Sequence, residues 1–300
     1  MAEDDDEDDD SQPRSSDQIS KSHILEAIES DDLKSNVYEG GLKSWECSVD
    51  LAGVLTEDRQ WLNGVEERGV HAIELGAGTA LPTLSLFRRI LELRSQTSQI
   101  PHRPPIIFTV ADYNIDVLRL VTIPNMLLTW ALQRQGRTPE DEQSGDLDVP
   151  PSLRDSFQKE LSELGISIRA ISGAWSPEFS SLLSTPSTAQ TPQNTLILAS
   201  ETIYAPNSLA PFLDVLVSAL RAGSGAVQGG SDVAIAQGPA RARALVAAKR
   251  MYFGVGGGVD EFVRAFEAKT LGDGFVKEVK SVGGGVARVV LEVGLDKVDP

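Results

Sequence analysis

The stretch "VHAIELGAGTALPT", residues 70–83, constrains this chain more than any other segment. Residues 70–75 are mostly apolar and read as a buried strand. They run directly into Gly76 and Gly78, which permit positive φ and close approach of the backbone to a ligand. A helix over 82–94 follows, with Pro82 near its first turn and Leu84, Phe87 and Leu91 as its apolar stripe. A strand, a glycine turn and a helix in that order form the unit of a doubly wound parallel sheet. Ligands bind at the carboxyl ends of such strands.

The rest of the chain repeats the alternation. Further strands are predicted over 106–111, 167–172, 195–199 and 232–237. A helix from 44 to about 62 has Ser44 as N-cap, Glu46 in its first turn and Trp45, Val49, Ala52 and Leu55 at helical spacing. Asn114 caps a helix that Pro124 interrupts, and Gly165 stops a helix carrying Leu153, Phe157, Leu161 and Leu164. Helices are also expected over 208–221 and 239–251, and a short one after the glycine-rich run 254–258. Polar loops are expected over 95–105, 134–150 and 184–194. Two late runs, 275–282 and 286–293, are split by glycines and read as a β-hairpin. The prediction is an α/β fold, a parallel sheet with helices on both faces and a closing antiparallel β-hairpin. That is the element order of the class I, seven-stranded, Rossmann-like S-adenosylmethionine-dependent methyltransferases, whereas dinucleotide dehydrogenases keep alternating.

Composition bounds the setting. A 300-residue chain that is 41% hydrophobic can hold one large core. Its formal charge of −17 is concentrated in an unbroken acidic run over residues 3–10. Such a run repels itself and buries nothing, so residues 1–20 are expected to be a disordered acidic tail and 21–300 the folded domain. The tail reads as a solvated arm, with attraction of a basic partner as the sharper alternative. Its sign disfavours direct nucleic-acid binding. Arg241, Arg243, Lys249 and Arg250 read as a solvated helix face. Cys47 is the sole cysteine, which excludes an intrachain disulfide and fits a reducing compartment. It reads as helix packing, since no neighbouring cation activates it. The acidic start predicts no secretory or transit peptide. No uncharged apolar run approaches the ~20 residues of a membrane span, so a soluble intracellular protein is expected. His23, His71 and His102 are scattered and no metal site is expected.

The chemistry concentrates at the strand ends. Glu74 lies just before the glycine turn, where dinucleotide-binding turns usually carry an apolar residue, and Leu81 replaces their third glycine. A carboxylate there suits a cationic cofactor, and S-adenosylmethionine carries an ammonium and a sulfonium. Asp112 ends the second strand, where an acid accepts ribose hydroxyls. Trp175, at the end of the third, offers a flat surface for adenine or else packs in the core, and Trp45 faces the same choice. Glu201 and Tyr204 follow the fourth strand, beside the expected methyl-transfer centre. An imidazole has a pKa near 6.5 and is largely a neutral nucleophile at physiological pH, whereas a lysine must first lose a proton. Glu201 is the candidate to hold the other ring N–H of such a histidine.

These segments resemble the eukaryotic protein-histidine N-methyltransferases, a branch of the methyltransferase-like enzymes. The resemblance rests on "VYEGGLKSWECSVDLA" at 37–52, "ELGAGTALPTL" at 74–84 and "DYN" at 112–114. It extends through "SGAW" at 172–175, "SETIY" at 200–204 and "YFGVGGGV" at 252–259. It implies that Trp45, Glu46, Gly76, Asp112, Asn114, Trp175 and Ser200 line the cofactor site. Glu74, Gly78, Tyr113, Gly173 and Ala174, from the same motifs, complete the expected cofactor set. Glu201 and Tyr204 are the expected catalytic pair. It further implies a histidine target in a large-subunit ribosomal protein, methylated on the ring nitrogen farther from the backbone, and a cytoplasmic and nuclear location. Residues 254–259 become a candidate gating loop. The chain departs from the family pattern at Ala174, often acidic there, and at Ala205, often asparagine, with Asn207 nearby.

The expected function is therefore methyl transfer from S-adenosylmethionine to a protein histidine. The alternatives are a protein-lysine methyltransferase and a non-catalytic cofactor-binding factor in ribosome assembly. No membrane partner is expected.

Overall fold

The computed structural model describes residues 33–34, 38–57, 62, 65–96, 103–136, 146–184, 193–224, 241–254 and 256–295. The expected acidic tail over 1–20 and the expected strand over 232–237 lie outside them. The chain divides into two units, Met1–Lys43 and Ser44–Pro300. In the first, Leu33–Lys34 pairs with Tyr38–Glu39 in a short antiparallel ladder.

The second unit is built on a seven-stranded sheet. Its strands are β1 (Val70–Leu75), β2 (Ile106–Asp112), β3 (Ile166–Ser172), β4 (Asn194–Ser200), β5 (Ala242–Lys249), β6 (Gly274–Val282) and β7 (Arg288–Leu295). Across the sheet they run β3-β2-β1-β4-β5-β7-β6. The first five are mutually parallel and β7 is antiparallel to both β5 and β6. Parallel strands require crossovers, and here each crossover carries helix that covers the sheet. The helices are α1 (Glu46–Glu57), α2 (Val65–Arg68), α3 (Leu81–Gln96), α4 (Ile115–Val117), α5 (Ile123–Arg134), α6 (Pro151–Glu163), α7 (Pro177–Leu183), α8 (Pro206–Gly223) and α9 (Val259–Thr270).

Side chains alternate along a strand, so each central strand feeds two cores. Ile73, Ile197, Ala199 and Val246 face one side, with Phe179, Phe212, Phe262 and Phe266 from α7, α8 and α9. Ala72, Leu196, Leu198 and Leu245 face the other, with Leu51, Phe87, Met126 and Trp130 from α1, α3 and α5. Each such large apolar side chain, fully buried, stabilises the fold by about 1.5–3 kcal/mol. Cys47 belongs to the second core, as expected of a packing cysteine. Burial, and then the Glu201 charge, push its thiol up.

Several boundaries differ from expectation for physical reasons. Residues 242–249 form strand β5 where a helix over 239–251 was expected. Ala244 to Ala248 are all buried, between parallel β4 and antiparallel β7. A helix would bury only a stripe of them, so pairing on both edges overrides the helical preference of alanine. The expected basic helix face is therefore absent: Arg243 pairs with Glu292, Arg250 with Glu278, and Lys249 enters the site described below. Ser44 does not cap α1; its hydroxyl bonds that of Thr79 at 2.8 Å. Val49 is exposed, with Cys47, Leu51 and Val54 taking the buried face.

Asn114 caps α4, its Oδ1 accepting the Asp116 N–H at 2.9 Å. Pro124 does not break the helical run. A π-turn over Leu118–Thr122 intervenes, and Pro124 falls in the first turn of α5, where an N–H is dispensable. The resulting stretch Ile115–Arg134, of mean hydropathy 1.4, meets the length and composition of a membrane span. Here it places Met126, Trp130 and Ala131 in the second core.

Candidate active site

The site lies where β1 and β4, neighbours in the sheet, release the chain in opposite directions. Gly76, after β1, adopts φ 70°, and a Cβ there would stand 2.8 Å from Cγ2 of Thr202, after β4. The two loops are thus in contact across the crevice that doubly wound sheets use for ligands.

On the β1–β2–β3 side the glycine turn is braced by Asp112. Its Oδ2 accepts the Gly78 N–H at 2.9 Å and its Oδ1 the Asn114 N–H at 3.0 Å. The Gly173 N–H reaches the Asp112 carbonyl at 3.1 Å, so three strand ends are tied at one residue. Thr122 donates to the Gly78 carbonyl at 2.6 Å and Asn125 to that of Thr79 at 3.1 Å. Burial raises the Asp112 carboxyl, and the backbone N–H donors oppose the rise. Tyr113, next along, is 69% exposed.

Glu74 is fully buried. Its Oε2 accepts the Thr83 N–H of α3 at 3.0 Å, while Oε1 has no hydrogen-bond partner among the described residues. Burial pushes this carboxyl up to about 8. Trp175 is half-buried, edge-on to Phe179 and Phe212 with ring centroids 5.1 and 6.1 Å away. It packs on the first core, while Ala174 before it is exposed.

On the β4–β5 side the register pairs Ser200 with Ala247, and the Glu201 N–H bonds the Ala247 carbonyl at 3.0 Å. Glu201 is held at φ 55°, a left-handed conformation that costs a non-glycine residue about 1–2 kcal/mol. Its Oε2 accepts the Tyr252 phenol at 2.6 Å. Its Oε1 is buried without a hydrogen bond among the described residues, with Lys249 Nζ 3.8 Å away. Lys249 also pairs with Glu46 at 3.2 Å and lies 5.6 Å from the Trp45 ring centre. The Lys249 partnership holds the exposed Glu46 carboxyl below its usual range. Burial, then the Glu201 charge, raise the Tyr252 phenol, which stays a donor. Tyr204 stacks edge-on to Tyr252 at 6.4 Å, and its carbonyl accepts the Gly257 N–H at 3.2 Å.

The expected residues thus form two groups. Glu74, Gly76, Gly78, Asp112, Tyr113, Asn114, Gly173, Ala174 and Trp175 surround the glycine turn, while Trp45, Glu46, Glu201 and Tyr204 gather across the crevice, with Ser200 half-buried at the end of β4. Lys249 and Tyr252 join the second group. Their signal was present in the "KRMYFGVGGGV" run, but reading 239–251 as a helix hid that Lys249 ends a strand beside Glu201.

The chain matches histidine protein methyltransferase 1 of Schizosaccharomyces pombe at 34% identity over 260 residues, and that of Saccharomyces cerevisiae at 35% over 250. It is a homologue of the histidine protein methyltransferases. The matches cover 87% and 80% of this chain but 66% and 59% of those relatives, so it spans less than two thirds of either. The Bos taurus homologue is 29% identical over 262 residues, 87% of this chain and 57% of its own. No family model matches the chain. Among solved structures, the glycopeptide N-methyltransferase MtfA complexed with sinefungin covers 92% of this chain and 97% of its own at 11% identity, with a TM-score of 0.37. The element order, five parallel strands alternating with helices and then a closing antiparallel hairpin, is that expected of a class I methyltransferase.

Proposed function

We propose that the chain is an S-adenosylmethionine-dependent protein-histidine N-methyltransferase, with a histidine of a large-subunit ribosomal protein as its target. The observation that carries this reading is Glu201: a carboxylate in a strained backbone conformation, one oxygen fixed by Tyr252 and the other buried without a hydrogen bond. The homology to histidine protein methyltransferases supports it.

The cofactor fits the first group of residues. A cationic ligand beside the unpartnered oxygen of Glu74 would favour the charged form that burial alone opposes, the exposed Tyr113 ring gives adenine an apolar face, and each Asp112 oxygen keeps a lone pair for a ribose hydroxyl. Bound S-adenosylmethionine supplies an electrophilic methyl group on its sulfonium. Glu201 acts on the protein substrate. Its free oxygen accepts the N–H of one ring nitrogen, which leaves the lone pair of the other nitrogen directed away as the nucleophile. As that nitrogen gains a fourth bond the ring becomes cationic, and the fixed carboxylate stabilises the new charge and can receive the ring proton. With Nδ1–H held, the nitrogen farther from the backbone reacts. A ribosomal target sets this work in the cytoplasm and nucleus.

The test incubates the full chain with isotopically labelled S-adenosylmethionine and large-subunit ribosomal proteins, then hydrolyses the product to amino acids. Label in methylhistidine from a ribosomal band is expected, and Glu201→Gln abolishes it while still binding S-adenosylhomocysteine. Label confined to methyllysine, or none with cofactor bound, overturns the reading.

A further inference from the structure

Lys249 is the least expected member of the site. It ends β5, and the β4–β5 register brings it beside the residue that follows β4. Its side chain is 19% exposed, and its Nζ stands between two carboxylates, 3.2 Å from Glu46 and 3.8 Å from Glu201. The Trp45 ring lies 5.6 Å away on the same ammonium. Arg288, the other cation acting on Glu46, is engaged by Asp50 at 2.5 Å.

Two carboxylates and an indole face together make a binding site for an ammonium ion. In this chain that position is filled from within. We propose that Lys249 is a specificity-determining residue: a resident ammonium that occupies the cation position between Glu201, Glu46 and Trp45, and so reserves the site for a neutral imidazole against the ammonium of a substrate lysine. An incoming lysine would meet a like charge standing at the position its own ammonium needs, and two carboxylates that Lys249 already shares. An imidazole N–H asks only for the second oxygen of Glu201, which is buried beside the ion pair at 3.8 Å and has no hydrogen bond among the described residues. Burial opposes the charge on Lys249, but Glu201 and Glu46 outweigh it and hold the ammonium above its usual range. This inference rests on the reading of Glu201 given above and names how that site rejects the rival substrate.

The test compares the wild-type chain with Lys249→Met and Lys249→Arg. Each is incubated with labelled S-adenosylmethionine and ribosomal proteins, and the ratio of methylhistidine to methyllysine is read after hydrolysis. In parallel, n-butylammonium is titrated against each protein with S-adenosylhomocysteine present, by ligand-observed NMR. Wild type and Lys249→Arg are expected to label methylhistidine and to bind n-butylammonium weakly. Lys249→Met is expected to bind it at least about tenfold more tightly. Where it still turns over, its ratio falls by about tenfold or more. If Lys249→Met binds n-butylammonium no better than wild type, the inference is overturned, whether or not the variant is active. An unchanged ratio in an active Lys249→Met overturns it as well. A loss of S-adenosylhomocysteine affinity with unchanged discrimination would place Lys249 on the cofactor and also overturn it. If the wild type itself labels only methyllysine, the histidine reading fails first; a wild type that labels methylhistidine beside an unaltered Lys249→Met leaves that reading standing and removes only this one.

Discussion

The Tyr252 phenol donates to Oε2 of Glu201 across 2.6 Å, joining the residue that opens the glycine-rich loop to the carboxylate after β4. The same phenolic oxygen accepts the Lys249 backbone N–H at 3.2 Å, so Tyr252 ties Glu201 to the end of β5. Removing the hydroxyl leaves a largely buried carboxylate without the Tyr252 donor. Tyr252→Phe is expected to lower kcat by about ten- to a hundredfold. S-adenosylhomocysteine affinity, measured by calorimetry, should stay within about twofold, since Tyr252 lies across the crevice from the glycine turn.

Gly257 packs directly on the chain after β4. A Cβ there would stand 2.3 Å from the Tyr204 carbonyl oxygen and 2.5 Å from that of Ile203, both backbone atoms that cannot step aside. Gly257→Ala is expected to displace the loop and cut methyl transfer by more than about tenfold, with a loss of about 1–3 kcal/mol in stability. Gly254, at φ 82° with no atom within 4 Å of such a Cβ, is the comparison. Gly254→Ala should cost about 1 kcal/mol from backbone conformation alone and leave catalysis nearly intact. Urea unfolding and steady-state rates on both variants check the pair.

Two buried groups set opposite pH slopes. Burial first, then the charge of Arg169, push His71 down to about 4, while burial pushes Glu74 up to about 8. Unfolding lets His71 take a proton below its ordinary 6.5, so its contribution to stability is lost as pH falls from 6.5 toward 4. Unfolding lets Glu74 release one above its ordinary 4.5, so stability falls as pH rises from there toward 8. Between 4.5 and 6.5 the two cancel. Glu74→Gln should therefore make stability rise with pH across that window, and His71→Leu should make it fall, each by about 1.4 kcal/mol per pH unit relative to wild type. Urea unfolding free energies at several pH values give the slopes; equal slopes in all three proteins would refute the assignment.

Arg94 is buried in the second half of α3 and serves as a structural clamp. It donates to the carbonyls of Leu164, Gly165 and Pro104, and pairs with Glu66 of α2 at 3.1 Å. Truncation would take this donor from the part-buried Leu164 and Pro104 carbonyls and from the Glu66 carboxylate. Arg94→Met is expected to cost about 3–5 kcal/mol, and Arg94→Lys to recover little of it, because one ammonium cannot span the fork. Thermal unfolding in the presence and absence of S-adenosylhomocysteine separates this loss from any effect on binding.

Most of the sheet was legible from the chain, because its strands are short apolar runs ending on polar or glycine turns. β1 is the clearest case: six buried residues followed at once by Gly76. The glycine turn, Asp112 and Asn114 were legible for the same reason, since their roles depend on position at a strand end. Trp175 is a different case: an aromatic at that position suits adenine or a core equally, and its packing on α7 and α8 is visible only in its contacts with Phe179 and Phe212.

The sequence by itself determined the local units: which runs are strands, where glycine permits a left-handed turn, and which acids fall at strand ends. These follow from periodicity and backbone sterics within a few residues. Tertiary structure alone decided that 242–249 is a strand, because it is paired on both edges by β4 and β7 and packed on both faces, by segments distant in sequence. It alone decided that Lys249 belongs beside Glu201 and that Tyr252 holds that carboxylate, because both contacts cross about fifty residues of chain and arise only from the register of neighbouring parallel strands.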